Sequence, residues 1–232
     1  MSRQPSDTSA GKPAKKPPLD LSDPVVRKQA LRHVRWRDHG ILRVYWHNFD
    51  EFAPGAFRSN QPTHDRFAQY AALGIKTVLN LRGAQKQPPY QLEQESCAAL
   101  GIKLVNCAMS ARQAPRQKVL IKLLGIFDDI DRPFLMHCKS GADRTGLAAA
   151  LYLMVQENVP FAVARQQLGF RYIHIRRTAT GVLDHFLDVY AARNANAPIA
   201  IDDWIRNEYD ADALTESFAA KQAALKPWQG WR

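Results

Sequence analysis

Strand-like and helix-like segments alternate three times between residues 64 and 156, and this alternation predicts an α/β fold. The expected architecture is a central, mostly parallel sheet flanked by helices on both faces, with a helical C-terminal part. Two further observations support it. The stretches KTVLNLR (76–82) and PFLMHC (133–138) are short runs with an apolar centre bounded by turn and helix signals, and read as buried strands. A chain of 232 residues with 46% apolar side chains is also long enough to bury a core without disulfide or metal staples.

The same composition excludes wholesale disorder, collagen and coiled coil. Cys97, Cys107 and Cys138 are too few and too scattered for a secreted disulfide framework or a four-cysteine zinc site, which favours a reducing compartment. No apolar run reaches the ~18 residues of a membrane span, and the N-terminus lacks the apolar core of a secretory signal. A cytoplasmic address is expected. The 32 Lys and Arg against 22 Asp and Glu give a net charge of +10, which favours anionic partners. Residues 1–37 hold nine of the basic and three of the acidic side chains, so most of the excess sits in the N-terminal arm.

Taken in order, residues 1–23 are rich in Pro, Ser and Lys and poor in apolar side chains, and are read as a disordered basic tail. An organellar transit peptide is the rival reading, but its prolines oppose the amphipathic helix it would need. Asp23 and Pro24 open a basic amphipathic helix over 24–39, which either packs on the domain by its apolar stripe or lies peripherally on an anionic membrane with Trp36 at the interface. The main domain is expected over 40–200. ILRVYWHN (41–48) alternates like a strand, and AFRSN follows the turn at Pro54 and Gly55. THDRFAQYAALG reads as a capped helix ended by glycine, followed by strand 76–82. YQLEQESCAALG is a helix, IKLVNC (102–107) a strand, PRQKVLIKLLGIFDDI a proline-opened helix, and PFLMHC a strand. The remainder is helical through RTGLAAALYLMVQEN, PFAVARQQLG, ATGVLDHFLDVYAAR and IDDWIRNEY. A final segment over 201–232 combines a helix with a basic, aromatic tail that docks on the domain or on lipid.

The segment that carries chemistry is PFLMHCKSGADRTGLAAALYLM (133–154), a buried strand, a short loop and an alanine-rich helix. In such a sheet ligands bind beyond the carboxyl ends of the strands, where Cys138 to Arg144 must lie. Gly141 lets the loop curl, so that the backbone N–H groups of Lys139, Ser140, Gly141 and Ala142 and the helix N-terminus form a nest for an anion. Cys138 sits at the bottom of that nest, where the same donors favour thiolate over thiol. Arg144 adds a planar fork for two phosphate oxygens, and the Thr145 hydroxyl can donate to the sulfur.

With these residues in place, HCKSGADRTG resembles the signature of the cysteine-dependent protein tyrosine and dual-specificity phosphatases. GAFRSNQPTHDRF and GIKTVLNLRG resemble the first segments of compact bacterial and atypical dual-specificity members, and the resemblance spans roughly residues 40–195. It implies a two-step mechanism without metal or cofactor. Cys138 attacks phosphorus, Arg144 and the loop amides hold the equatorial oxygens, and water hydrolyses the phosphocysteine. His137 helps hold the loop and tune the cysteine.

One expected element is missing. Relatives place an aspartate general acid on a loop ahead of the signature, yet no Asp or Glu occurs from Arg66 to Leu92 or from Ser96 to Phe127. Asp128, Asp129 and Asp131 precede the signature strand and fall at the opposite sheet edge. Asp143, inside the loop, either protonates the leaving group or orients Arg144 or a flanking amide, and a third reading is a leaving group acidic or hydrated enough to need little help. The acid-poor loops carry Arg82, Lys86, Arg112 and Arg116, which with Lys139 are expected to rim the pocket, Arg82 as a phosphate-binding residue. FRYIHIRRT (170–178) either closes over the pocket with Arg171, His174, Arg176 and Arg177 or places them on a wet face. Cys97 and Cys107 read as core residues, with a resolving thiol for Cys138 as the rival role.

The expected function is phosphate monoester hydrolysis, with a phospholipid head group such as phosphatidylglycerophosphate or a phosphoinositide ahead of phosphotyrosine, and no nucleic acid partner. A phosphate-binding module without turnover is the rival from another class, which an intact nucleophile disfavours. A sulfurtransferase also uses a cysteine loop, but the Arg-Thr spacing fits phosphate better.

Overall fold

The computed structural model describes residues 17–224. Residues 1–16 of the expected tail, and 225–232 with Trp228 and Trp231, lie outside the described residues. Five strands form one sheet in the order β1-β2-β5-β3-β4. β1 (Asp50–Ala53) and β2 (Ala56–Ser59) make an antiparallel hairpin at one edge. β5 (Phe134–His137), β3 (Thr77–Asn80) and β4 (Lys103–Asn106) run parallel to β2 and to one another. The mostly parallel α/β sheet is thus the fold that the alternating pattern predicts.

Each central strand is buried on both faces, so its side chains feed two cores with the period of two that a strand imposes. Val78 and Leu135 join Phe67 and Tyr70 of α2 (His64–Ala72) and Cys97 of α3 (Pro88–Ala99). Leu79, Phe134 and Met136 face α4 (Gln117–Asp129) and α5 (Asp143–Gln156) in the larger cluster. Leu147, Ala148, Ala149, Ala150 and Leu151 of α5 are all fully buried, which is why this helix is alanine-rich: small side chains let it pass between layers. Gly146 serves the same approach, because a Cβ there would lie 2.7 Å from the carbonyl oxygen of Gln167.

The short α6 (Phe161–Ala164) is followed by α7 (Val182–Asn196), α8 (Ile201–Asn207) and α9 (Ala211–Ala224). Ile201, Trp204, Ile205 and Leu214 pack into the same core as α5, so no break separates the domain from the helices beyond residue 200. None of the described helices is long and apolar enough to cross a membrane.

One expectation about local structure is corrected. ILRVYWHN is not a strand: Leu42–Val44 forms a single 3-10 turn, and pairing begins only at Asp50. Its alternation was misleading because Leu42, Val44 and Tyr45 are exposed, while the buried member of the run is a charged one, Arg43. FRYIHIRRT coils through a 3-10 turn at Phe170–Tyr172, with Ile173 in the left-handed region at φ 63°.

The basic N-terminal segment is helical as its cap predicts. In α1 (Pro24–Arg32) the Asp23 carboxylate accepts from the N–H groups of Val25 at 2.7 Å and Val26 at 3.3 Å. Ala30 is buried, and Arg27 pairs with Glu95 on α3 at 2.8 Å. The helix thus lies on the domain, while Val25, Leu31 and Trp36 stay exposed.

Candidate active site

The strand register aligns Ser59, His137 and Asn80 across β2, β5 and β3, with Asn106 beside Asn80 on β4. A polar row therefore crosses the carboxyl edge of an otherwise apolar sheet, and the loop from Cys138 to Ala142 rises from it. Gly141 adopts φ +73°, and a Cβ there would sit 2.7 Å from the backbone carbon and oxygen of Ser59, so only glycine fits. The loop carbonyls are tied from outside. Gly141 O accepts from Arg58 Nη2 at 2.6 Å, Ser140 O from Asn48 Nδ2 at 2.7 Å, and Lys139 O from the N–H of Gln61 at 3.3 Å. Among the described residues, no backbone carbonyl takes the N–H groups of Ser140 or Gly141. Pinning carbonyls outward and leaving successive N–H groups unpaired is what makes a loop an anion nest.

Sequence reasoning missed the side chains that do this pinning. Arg58 is fully buried; burial lowers its guanidinium pKa to about 10, and its charge lies 3.5 Å from the centre of the Tyr172 ring. Glu93, also buried, accepts from His137 Nε2 at 2.6 Å, Gln61 Nε2 at 2.8 Å and Asn80 Nδ2 at 3.0 Å. The other ring nitrogen of His137 faces Cys138 O at 3.2 Å. The histidine expected to support the loop is thus itself held by a carboxylate from α3. The available signals were a charged residue inside a buried strand and the acid that ends the acid-free stretch before Leu92.

Cys138 is buried at the base of the nest. Burial works to raise its thiol pKa, but Arg144 and the hydroxyl and N–H of Thr145 outweigh it, and the net shift is downward. Thr145 Oγ1 is buried without a hydrogen-bond partner among the described residues, and its hydroxyl helps to lower the Cys138 thiol pKa. Arg144 Nε is also buried without a partner, and Nη1 reaches only Met109 O at 3.5 Å. Most of that guanidinium is uncommitted to the fold. Cys97 and Cys107 are core residues whose thiols burial pushes up, that of Cys97 to about 12.

Asp143 opens α5, and its partner is neither Arg144 nor a flanking amide. His174 Nδ1 donates to its Oδ1 at 2.7 Å, and His174 Nε2 donates to Asp184 Oδ2 at the same distance. Burial opposes the imidazolium, but the two carboxylates prevail and lift its pKa to about 9. The buried His174 therefore belongs to neither a lid nor a wet face. Arg171 and Arg176 turn instead to Asp50 and Asp188.

The expected basic rim also needs correction. Arg82 is not free to bind substrate: Nη2 and Nη1 grip Asp38 at 2.8 and 2.9 Å, and Nη1 also donates to Gln61 Oε1 at 2.7 Å. Asp38 comes from the N-terminal segment and not from the loops that follow the parallel strands. Arg116 pairs with Asp212 at 3.0 Å. Lys139 Nζ turns sideways to His39 Nδ1 at 3.0 Å and Asp38 Oδ1 at 3.6 Å, whereas Arg112 is exposed.

A family model described as a DSP-PTPase phosphatase fused to NAD+ kinase matches residues 51–179, more than half of the chain. The chain belongs to this DSP-PTPase family. The matched span contains the whole HCKSGADRTG signature, with Cys138, Arg144 and Thr145. A curated relative from Oryza sativa subsp. japonica, inositol diphosphatase DSP2, is 29% identical over 130 residues, which are 53% of this chain and 61% of the relative. Less than two thirds of that relative's length is therefore spanned. Among solved structures, P. aeruginosa TpbA is similar with 19% identity and a TM-score of 0.49, covering 75% of this chain and 91% of TpbA. The core catalytic domain of the PP-IP phosphatase SIW14 from S. cerevisiae shows 23% identity and a TM-score of 0.49 over 65% of this chain and 94% of its own.

Proposed function

We propose that this phosphatase removes a phosphate monoester from a phospholipid head group through a phosphocysteine at Cys138. The observation that carries the chemistry is a buried, acidified thiol at the centre of a nest whose carbonyls are all held outward. In the first step Cys138 Sγ forms a bond to phosphorus as the ester P–O bond breaks, and the leaving oxygen takes a proton. Arg144 and the N–H groups of Lys139, Ser140, Gly141 and Ala142 hold the equatorial oxygens. In the second step water attacks phosphorus and the S–P bond breaks, with the Thr145 hydroxyl stabilising the departing thiolate. His137 acts by holding the loop.

Proton transfer in this scheme runs through Asp143, one oxygen bonded by the His174 imidazolium and the other without a partner among the described residues: the imidazolium proton passes by way of the carboxylate to the leaving oxygen, and the attacking water returns a proton in the second step. The Asp143→Asn variant should lose roughly 10²–10³-fold in kcat on alkyl phosphates but less than about tenfold on p-nitrophenyl phosphate, whose leaving group needs no proton. Equal losses on both esters would make Asp143 a positioning residue.

The lipid preference rests on the N-terminal segment. Val25, Leu31, Trp36, Leu42, Val44 and Tyr45 are all exposed, on a strongly basic background. A cavity of about 490 Å³ lined by Leu31, Val34, Ile41, Val44 and Leu92 lies between this segment and α3. The segment is joined to the signature loop through Asp38, His39 and Lys139, so an anionic, apolar surface bound there would bring head groups to the nest. The name of the rice relative favours a second reading, an inositol diphosphate.

The test is phosphate release in chelator from vesicles carrying phosphatidylglycerophosphate or phosphoinositides, from inositol diphosphates, and from phosphotyrosine and phosphoserine peptides. The highest kcat/KM is expected on vesicles, falling on deletion of residues 1–37. Peptides or soluble diphosphates turned over at least as well would overturn the lipid reading, and binding without release would replace the enzyme by a binding module.

A further inference from the structure

Three cations converge on one carboxylate beside the signature loop. Asp38 is held bidentately by Arg82, by Arg43 Nη1 at 2.9 Å, and more loosely by Lys139. Arg43 also donates to the Asp38 carbonyl at 2.6 Å. Asp38, Arg43 and Arg82 are nearly inaccessible, with side-chain exposures of 7%, 7% and 8%. Burial opposes the Asp38 charge, but Arg82, Arg43 and Lys139 prevail and hold the carboxyl below the usual carboxylate range. His39, next in the chain, stands in the left-handed region at φ 58° and also faces Lys139.

Lys139 directly follows Cys138, so this cluster adjoins the nest at backbone distance. A cluster of Arg43, Arg82 and Lys139 without Asp38 would be a second anion site one residue from the nucleophile. With Asp38 in it, the anion is supplied by the protein itself.

We propose that Asp38 is a specificity-determining residue: its carboxylate occupies the Arg43–Arg82–Lys139 cluster and so disfavours substrates carrying a second phosphate next to the scissile one. A second phosphate placed there finds the two guanidinium groups that would bind it already engaged, and one of the cluster's three positive charges cancelled by the Asp38 carboxylate. The enzyme is thereby tuned to esters whose neighbouring groups are uncharged. The proposal rests on turnover at Cys138 but not on the lipid reading, because soluble inositol phosphates report the same preference whichever ester is natural.

The experiment compares kcat/KM for an inositol monophosphate and a vicinal inositol bisphosphate at 150 mM salt, in wild type, Asp38→Asn, Arg82→Gln and the double variant. Asp38→Asn should raise the bisphosphate-to-monophosphate ratio on the order of tenfold. Arg82→Gln alone should change it by less than about twofold, because that charge is already taken, yet should cancel most of the gain in the Asp38→Asn background. An unchanged ratio in an Asp38→Asn protein with wild-type melting overturns the proposal. A measurement on the wild type covers the case in which that variant fails to fold. Inositol hexakisphosphate should inhibit p-nitrophenyl phosphate hydrolysis no more than about fivefold better than inositol monophosphate. Inhibition on the order of a hundredfold better would mean that Asp38 shields nothing, and would equally overturn the proposal.

Discussion

Replacing Cys138 by serine will reduce phosphate release from every substrate by a factor on the order of 10⁴ or more while leaving the fold and phosphate binding in place. A hydroxyl in the same position is far too weakly acidic to be ionised by the surroundings that acidify a thiol. The loop needs nothing from the sulfur to keep its shape, because Arg58, Asn48 and Gln61 hold its carbonyls. A melting measurement should therefore change little, and vanadate or inorganic phosphate should still bind. The same electrostatics have a direct signature in the wild type. Since the Cys138 pKa is lowered, its alkylation by iodoacetamide should reach half its maximal rate at a pH below that of a free cysteine, whereas Cys97, pushed up to about 12, stays unreactive. A Cys138→Ser protein retaining more than about 1% of activity would exclude the phosphocysteine route.

The second large effect is expected at Arg144. Substitution by lysine keeps the charge but replaces a planar fork by a point donor, and should lower kcat by roughly 10²–10³-fold while raising KM. The reason lies in how little the fold asks of this side chain: Nε has no partner, and one nitrogen makes a single long bond to Met109 O. Because Arg144 also supplies charge to the thiol, Arg144→Ala should move the alkylation midpoint of Cys138 upward, and Arg144→Lys should move it much less. Steady-state kinetics on p-nitrophenyl phosphate with parallel alkylation profiles separates these contributions. A lysine variant within about tenfold of wild type would mean that charge alone suffices and that bidentate geometry carries no weight.

How far the site could be read in advance divides by residue. Cys138, Gly141, Arg144 and Thr145 lie within one short segment, so their relation to one another is a matter of local backbone geometry. His137 could be assigned to loop support, but not its partner, because Glu93 lies 44 residues away on α3. Asp143 was visible as the remaining acid of the loop. Its link to His174, 31 residues on, was not, since no local pattern relates a coiled segment to the first turn of α5. Arg82 was the instructive error. Its position at the end of a parallel strand does bring it to the right edge, but an exposed binding role assumed that no acid could reach it from elsewhere. Asp38 reaches it from 44 residues upstream.

By itself the sequence determined the α/β class, the strand–loop–helix that carries the nucleophile and the phosphatase signature. Apolar periodicity, glycine placement and a strand–loop–helix spacing are all properties of contiguous residues. Only the tertiary structure decided which charges remain available to a substrate. That depends on pairs such as Asp38 with Arg82, Glu93 with His137 and His174 with Asp143, which meet through folding and whose attraction falls off over a few ångströms rather than along the chain. Charge counted along a chain gives the total; burial and pairing decide what a phosphate meets.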